Sequence, residues 1–355
     1  MDERWRKLGD LLVNYSLEIK RDEKLLITME EINSYPATCG VYEAAVKVGA
    51  YPQIVFRSEK LNRILTKFGS DEQIARIPEI ESYGMEWADV YIGLRGAANL
   101  NECWAVPADK LSKLRRALGK LSTLRWQKTR WCLVRIPSVT LAQQGGIDED
   151  TLEEMFFDAC FLNWPQISKK WNDCVKILNK GKHVRLAGKR TDLSFSVEGR
   201  SWSVDDGRIN MPGGEISTAP VEHTVEGTIY FDSPAVFGGK VVQDITLRWK
   251  MGELVQATAS KNEEFLKAVL STDPGASRIG EFAIGTNPGL KHMCGDILLD
   301  EKIYGTIHIA MGRAYPDVGG TNQSAIHWDI IKDLRDEGEI YLDGELIFKN
   351  GQLLI

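Results

Sequence analysis

A chain of 355 residues with 43% hydrophobic and 26% charged residues has the make-up of a globular protein. That length exceeds what one hydrophobic core organises, so two domains of roughly 100–200 residues each are expected. The formal net charge of −6 leaves no basic excess to neutralise phosphates, which argues against nucleic acid and anionic membranes as partners. No run approaches the ~18 apolar residues of a membrane span, so the chain reads as soluble.

The first twenty residues, MDERWRKLGDLLVNYSLEIK, place Leu8, Leu11, Leu12, Tyr15 and Ile19 at helical spacing. They lack the apolar core and small-residue cleavage site of a signal peptide, so they read as an amphipathic helix of a cytoplasmic protein. Short apolar runs at 25–27, 54–56, 89–94 and 131–134 alternate with helical patterns near 36–49 and 107–120. This rhythm predicts a parallel sheet with helices on both faces. No GxGxxG or Walker motif marks a nucleotide site in this half. Residues 148–180 read as helical, with Asp148 or Asp150 as the cap and Gly181 as the stop. From 183 onward the style changes to short alternating segments separated by Gly, Asn and Asp, interrupted by one helix near 261–271. The expected architecture is an α/β domain over 1–185, then a mainly antiparallel, barrel-like α+β domain over 186–355. Six scattered cysteines without a CxxC pair read as reduced thiols.

Five histidines occur, His183, His223, His292, His308 and His327, and two sit in informative patterns. In SAIHWD (324–329), residues two apart on a strand share a face, so His327 and Asp329 project together, opposite Ile326 and Trp328. An imidazole beside a carboxylate suits a metal, and it equally suits a His–Asp hydrogen bond at a strand edge. In GTIHIAMG (305–312), Ile307, Ile309 and Met311 share one face and Thr306, His308 and Ala310 the other. Small neighbours leave His308 room for an ion, although a lone histidine on a half-exposed strand has the same pattern. Among the acids, Glu215 lies in the tight loop MPGGE and Glu281 in IGEF, just after a helix. Glu301 lies in a polar break before the His308 strand. Each alone reads as a solvated surface acid.

Six stretches, in order, carry a family resemblance: WADVYIGLRGAANLNE, RTDLSFSVEGRSW, NMPGGEISTAPVEHTVEGTI, NEEFLKAVLSTDPGASRIGEFAIGTNPG, DEKIYGTIHIAMGRAYP and NQSAIHWD. Over about residue 85 to the end, and most closely over 190–330, the chain resembles the aminopeptidase T family of dinuclear metallopeptidases. The resemblance implies a metal-dependent aminopeptidase that removes N-terminal residues from peptides, a homodimer whose active sites face an enclosed cavity. It assigns two divalent ions (Zn, Co or Mn) to Glu215, Glu281, Glu301, His308, His327 and Asp329. Glu281 would bridge the ions or take the proton from water, and Tyr315 would donate a hydrogen bond to the oxyanion. The four carboxylates and two divalent ions would leave the site close to neutral. The segment 316–326 is shorter than in the family, which bears on specificity. Two rivals accompany this reading. Ring-cleaving dioxygenases resemble the same family, and His308, His327 and Asp329 would make an Fe(II) facial triad. That reading leaves Glu215 and Glu281 without a role. The other rival is a metal-stabilised binding protein without activity.

Overall fold

The computed structural model describes residues 2–355, and no helix among them is long and apolar enough to cross a membrane. It divides into two compact units: residues up to Phe161 with Gly207–Pro212, and Leu162–Asp206 with Gly213–Ile355.

The first unit has the expected α/β form. Five parallel strands run in the order Tyr51–Arg57, Lys24–Glu30, Val90–Arg95, Arg130–Arg135 and Asn210–Met211. Strand Lys24–Glu30 sits inside this sheet and reads as an unbroken apolar run, Leu25 to Ile27 being buried, as a strand covered on both faces requires. Helix Glu149–Cys160 closes the main stretch of the unit. Its start is fixed by Asp148, whose Oδ1 accepts from Thr151 N at 2.8 Å.

The single helix expected over 148–180 is two. Pro165 has no N–H to donate and fits only a first helical turn, so the second helix starts afresh as Trp164–Leu178, capped by Asn163. That helix belongs to the second unit, so the units divide at 161/162 where the sequence suggested a boundary near 185. Its end is tied there by Asn179, whose Oδ1 accepts from Trp202 N at 2.9 Å.

The second unit is mainly antiparallel and holds two large sheets. The eight-stranded one centres on Glu226–Phe231, Thr191–Ser196, His183–Gly188 and Gly338–Leu342. The five-stranded one has the order His327–Asp333, Thr306–Gly312, Ile279–Gly285, Glu215–Thr218 and Ser203–Asp205. One face of the five-stranded sheet carries Ile216, Phe282, Ile284, Ile307, Ile309, Met311, Trp328 and Ile330, all buried. Phe282 packs edge-on against Phe195 of the larger sheet, with ring centroids 5.3 Å apart. That apolar face anchors the sheet and leaves its opposite face for chemistry.

Candidate metal centre

Strand register assembles the site. Glu281 lies opposite Ala310, and Ala310 lies opposite Asp329, so two carboxylates flank a methyl group across three strands. His308 pairs with Ala283 on one side, His327 pairs with Gly312, and Glu215 pairs with Gly285. The ligand-type side chains therefore share one face with alanines and glycines between them, which leaves space where they converge.

Glu281 was expected just after a helix. It is instead the third residue of strand Ile279–Gly285, and a bulge brings it to the correct face. Ile279 pairs with Met311 and Glu281 with Ala310, so Gly280 is the extra residue that switches the side-chain alternation. A Cβ at Gly280 would lie 2.3 Å from Gly312 O and 2.5 Å from Arg313 O. The Arg313 carbonyl in turn accepts from His327 Nδ1 at 2.7 Å, which keeps a proton on Nδ1 and turns Nε2 toward the site. Gly280→Ala is expected to displace that carbonyl, lowering metal affinity or turnover about 10–100-fold. Metal titration and kinetics of the variant check this, and native values in both would disprove the coupling.

The remaining acids are also withdrawn from solvent, Glu301 buried and Glu215 and Asp329 half-buried, contrary to the solvated setting that each suggests in isolation. Glu215 follows Gly214, where φ is +133° and a Cβ would meet Asn287 Cβ at 2.5 Å. Glu301 caps the short helix Ile297–Asp300 and is 8% exposed. His308 Nε2 lies 3.7 Å from Glu215 Oε2 and 4.0 Å from Asp329 Oδ1. His327 Nε2 lies 3.3 Å from both Glu281 Oε2 and Asp329 Oδ1. Tyr315 leans on His327, with ring centroids 4.9 Å apart. All seven residues singled out in the sequence thus come to one place, while His183, His223 and His292 are exposed and take no part.

Two further residues belong to the cluster, and sequence reasoning missed them. Lys302 is completely buried, its Nζ 2.6 Å from Glu301 Oε1, 3.3 Å from Asp205 Oδ2 and 3.7 Å from Glu215 Oε1. An acid followed by a lysine looks like solvated surface, and Asp205 sits in a turn-like SVDDG string. Neither carries a local signal of burial.

The electrostatics favour a cation. Burial raises the Glu215 and Glu301 carboxyls above their usual range, with Lys302 opposing the shift. Burial works against the charge of Lys302, but Glu215, Glu301 and Asp205 outweigh it and hold the ammonium well above its ordinary range. Burial likewise disfavours a charged His327, yet Asp329 and Glu281 raise it well above the usual histidine value. Burial would raise the Asp329 carboxyl, but His327 holds it at about 2. The carboxylates that draw a proton to His327 Nε2 would draw a metal ion there equally well. Burial, then Glu281 and Asp329, push the Tyr315 hydroxyl well up, keeping it a hydrogen-bond donor.

The donor set fits divalent metal. Two groups have ligand atoms within 4.8 Å of one another, Glu215 with Glu301 and His308, and Glu281 with His308 and Asp329. Glu215 Oε2 and Asp329 Oδ1 are buried with no hydrogen-bond partner, an arrangement that is costly in a protein interior and that a metal ion would satisfy. Mixed imidazole and carboxylate ligands suit a divalent transition metal.

Comparison with known proteins gives the family and the fold. The family model described as thermophilic metalloprotease (M29) matches residues 1–353. Aminopeptidase T of Thermus thermophilus is 26% identical over 95% of each chain. Aminopeptidase 2 of Geobacillus stearothermophilus is 24% identical over 98% of each. Among solved structures, wild-type AmpT from Thermus thermophilus aligns with a TM-score of 0.88 at 22% identity, covering 99% of both chains. A 2,5-dihydroxypyridine dioxygenase from Pseudomonas putida KT2440 has a more distant likeness of fold, with a TM-score of 0.61 and 15% identity over 98% of this chain and 96% of its own.

Proposed function

Because the chain belongs to the thermophilic metalloprotease (M29) family, we propose that it is a cytoplasmic, homodimeric aminopeptidase that holds two divalent ions and removes N-terminal residues from peptides. The observation that carries the reading is the pair of ligand groups that share His308. One group joins Glu215 and Glu301 to that imidazole, and the other joins Glu281 and Asp329 to it. Charge supports two ions. Asp205 and Lys302 cancel each other, and the remaining carboxylates of Glu215, Glu281, Glu301 and Asp329 match two divalent cations.

When bound, the ions supply a water acidic enough to be deprotonated near neutral pH and a Lewis acid for the peptide carbonyl. The chain supplies the rest. Glu281 would accept a proton from the attacking water or serve as a shared ligand of the ions. Tyr315 donates a hydrogen bond to the carbonyl oxygen as negative charge develops there. His327 stays oriented through its bond to Arg313 O, and its Nε2 keeps Asp329 and Glu281 in register. The free α-amine of the substrate would be read within this cluster, for which a carboxylate is suited, and that would make the enzyme an exopeptidase.

Cleavage is therefore expected for a free tripeptide and not for its N-acetylated form. Equal rates on both would remove the exopeptidase reading. Metal analysis of the purified chain separates the remaining alternative, since two ions support the peptidase and a single iron supports a ring-cleaving dioxygenase. The dioxygenase reading uses only His308, His327 and Asp329 and gives no role to Glu215, Glu281 and Glu301. Sedimentation analysis tests the homodimer.

A further inference from the structure

We infer that Lys302 is a positioning residue of the metal centre: its ammonium holds one oxygen of Glu215 and one of Glu301, so that each presents its other oxygen to a single cation position. The inference rests on the two-metal reading above.

A completely buried ammonium is costly unless charged partners surround it. Lys302 has carboxylates from three separate chain segments. Asp205 comes from the end of strand Ser203–Asp205, Glu215 from the start of strand Glu215–Thr218, and Glu301 from the turn after helix Ile297–Asp300. The ammonium donates a hydrogen bond to Glu301 Oε1 and stands in ion-pair range of Asp205 and Glu215. The division of labour is visible on Glu215. Its Oε1 faces Lys302 at 3.7 Å, while its Oε2 faces His308 Nε2 at 3.7 Å and has no hydrogen-bond partner. Glu301 gives Oε1 to Lys302 at 2.6 Å. Asp205 belongs to neither ligand group, so its contact with the ammonium serves to anchor Lys302.

The backbone holds this arrangement in place. Asn287 N donates to Lys302 O at 2.9 Å, and Asn287 Nδ2 donates to Gly213 O at 2.7 Å. One residue thus ties the Lys302 segment to the loop that leads into Glu215. The effect of Lys302 is one-sided. Its ion pairs reach Glu215 and Glu301, whereas Glu281 and Asp329 pair with His327.

The test is a Co(II) titration of the chelated full-length chain, followed by visible absorption and by bound metal after equilibrium dialysis. The native chain is expected to take up two ions. Lys302→Met is expected to keep one near native affinity and to bind the other at least about 10-fold more weakly. Loss of bulk stability alone would weaken both together. A variant that binds both ions as the native chain does would overturn the role of Lys302. A native chain that takes up only one ion would instead overturn the two-metal reading, so the two failures are distinguishable. If Lys302→Met gives no cooperative melt, Asp205→Asn decides. It keeps the ammonium and every ligand but removes the anchor, so selective weakening of one ion is expected and two native steps would overturn the inference.

Discussion

His327→Ala is expected to lower peptide hydrolysis by about 10³-fold or more, because a lost ligand removes several kcal/mol of stabilisation from the reacting centre. The fold should survive. Trp328 and Ile330, which face the core on either side of Asp329, are untouched by the change, and Trp328 keeps its packing on Phe237 at 5.2 Å. What the variant loses structurally is chiefly the hydrogen bond from Nδ1 to Arg313 O, which contributes about 1 kcal/mol, so the melting temperature should fall by only a few degrees. Bound metal should fall as well, since Nε2 sits 3.3 Å from both Glu281 and Asp329. Full metal content with most of the activity retained would exclude His327 from the centre. The same comparison with Asp329→Ala examines the other half of the HxD pair.

That pair was legible because strand alternation is a local rule. Once HWD and TIHIAMG read as strands, the shared face of His327 and Asp329 and the small neighbours of His308 follow from a period of two, and both strands lie where the spacing put them. The α/β rhythm of the first half was legible for the same reason. What failed to show were features fixed by distant partners. Gly280 looks like a loop glycine after a helix, and only the approach of Gly312 and Arg313 makes it a bulge that turns Glu281 inward. The string Asp300-Glu301-Lys302 looks like solvated surface, yet all three residues are buried. Asp300 is answered by the backbone N–H groups of Cys294 and Gly295, and Glu301 by Lys302. Residues 164–178 read as helical in sequence, but the unit to which helix Trp164–Leu178 belongs is set by tertiary contacts such as that between Asn179 and Trp202.

Glu281→Gln is the second change with a large expected effect, and it separates two roles that the geometry alone permits. Glu281 is 5% exposed, stands across Ala310 from Asp329 and points Oε2 at His327 Nε2. Glutamine keeps the shape and removes the charge. If Glu281 bridges the two cation positions, a neutral amide is a poor substitute, so both ions should bind more weakly and turnover should fall with occupancy. If Glu281 chiefly accepts the proton from water, metal content should stay near two ions per chain while kcat drops roughly 10²–10⁴-fold. Measuring bound metal and kcat on the same preparation tells these apart. A variant with full metal and near-native turnover would remove Glu281 from the chemistry. The two-metal reading would then lose the acid that completes its second ligand group, leaving His308, His327 and Asp329 as a single triad of the kind that binds one iron.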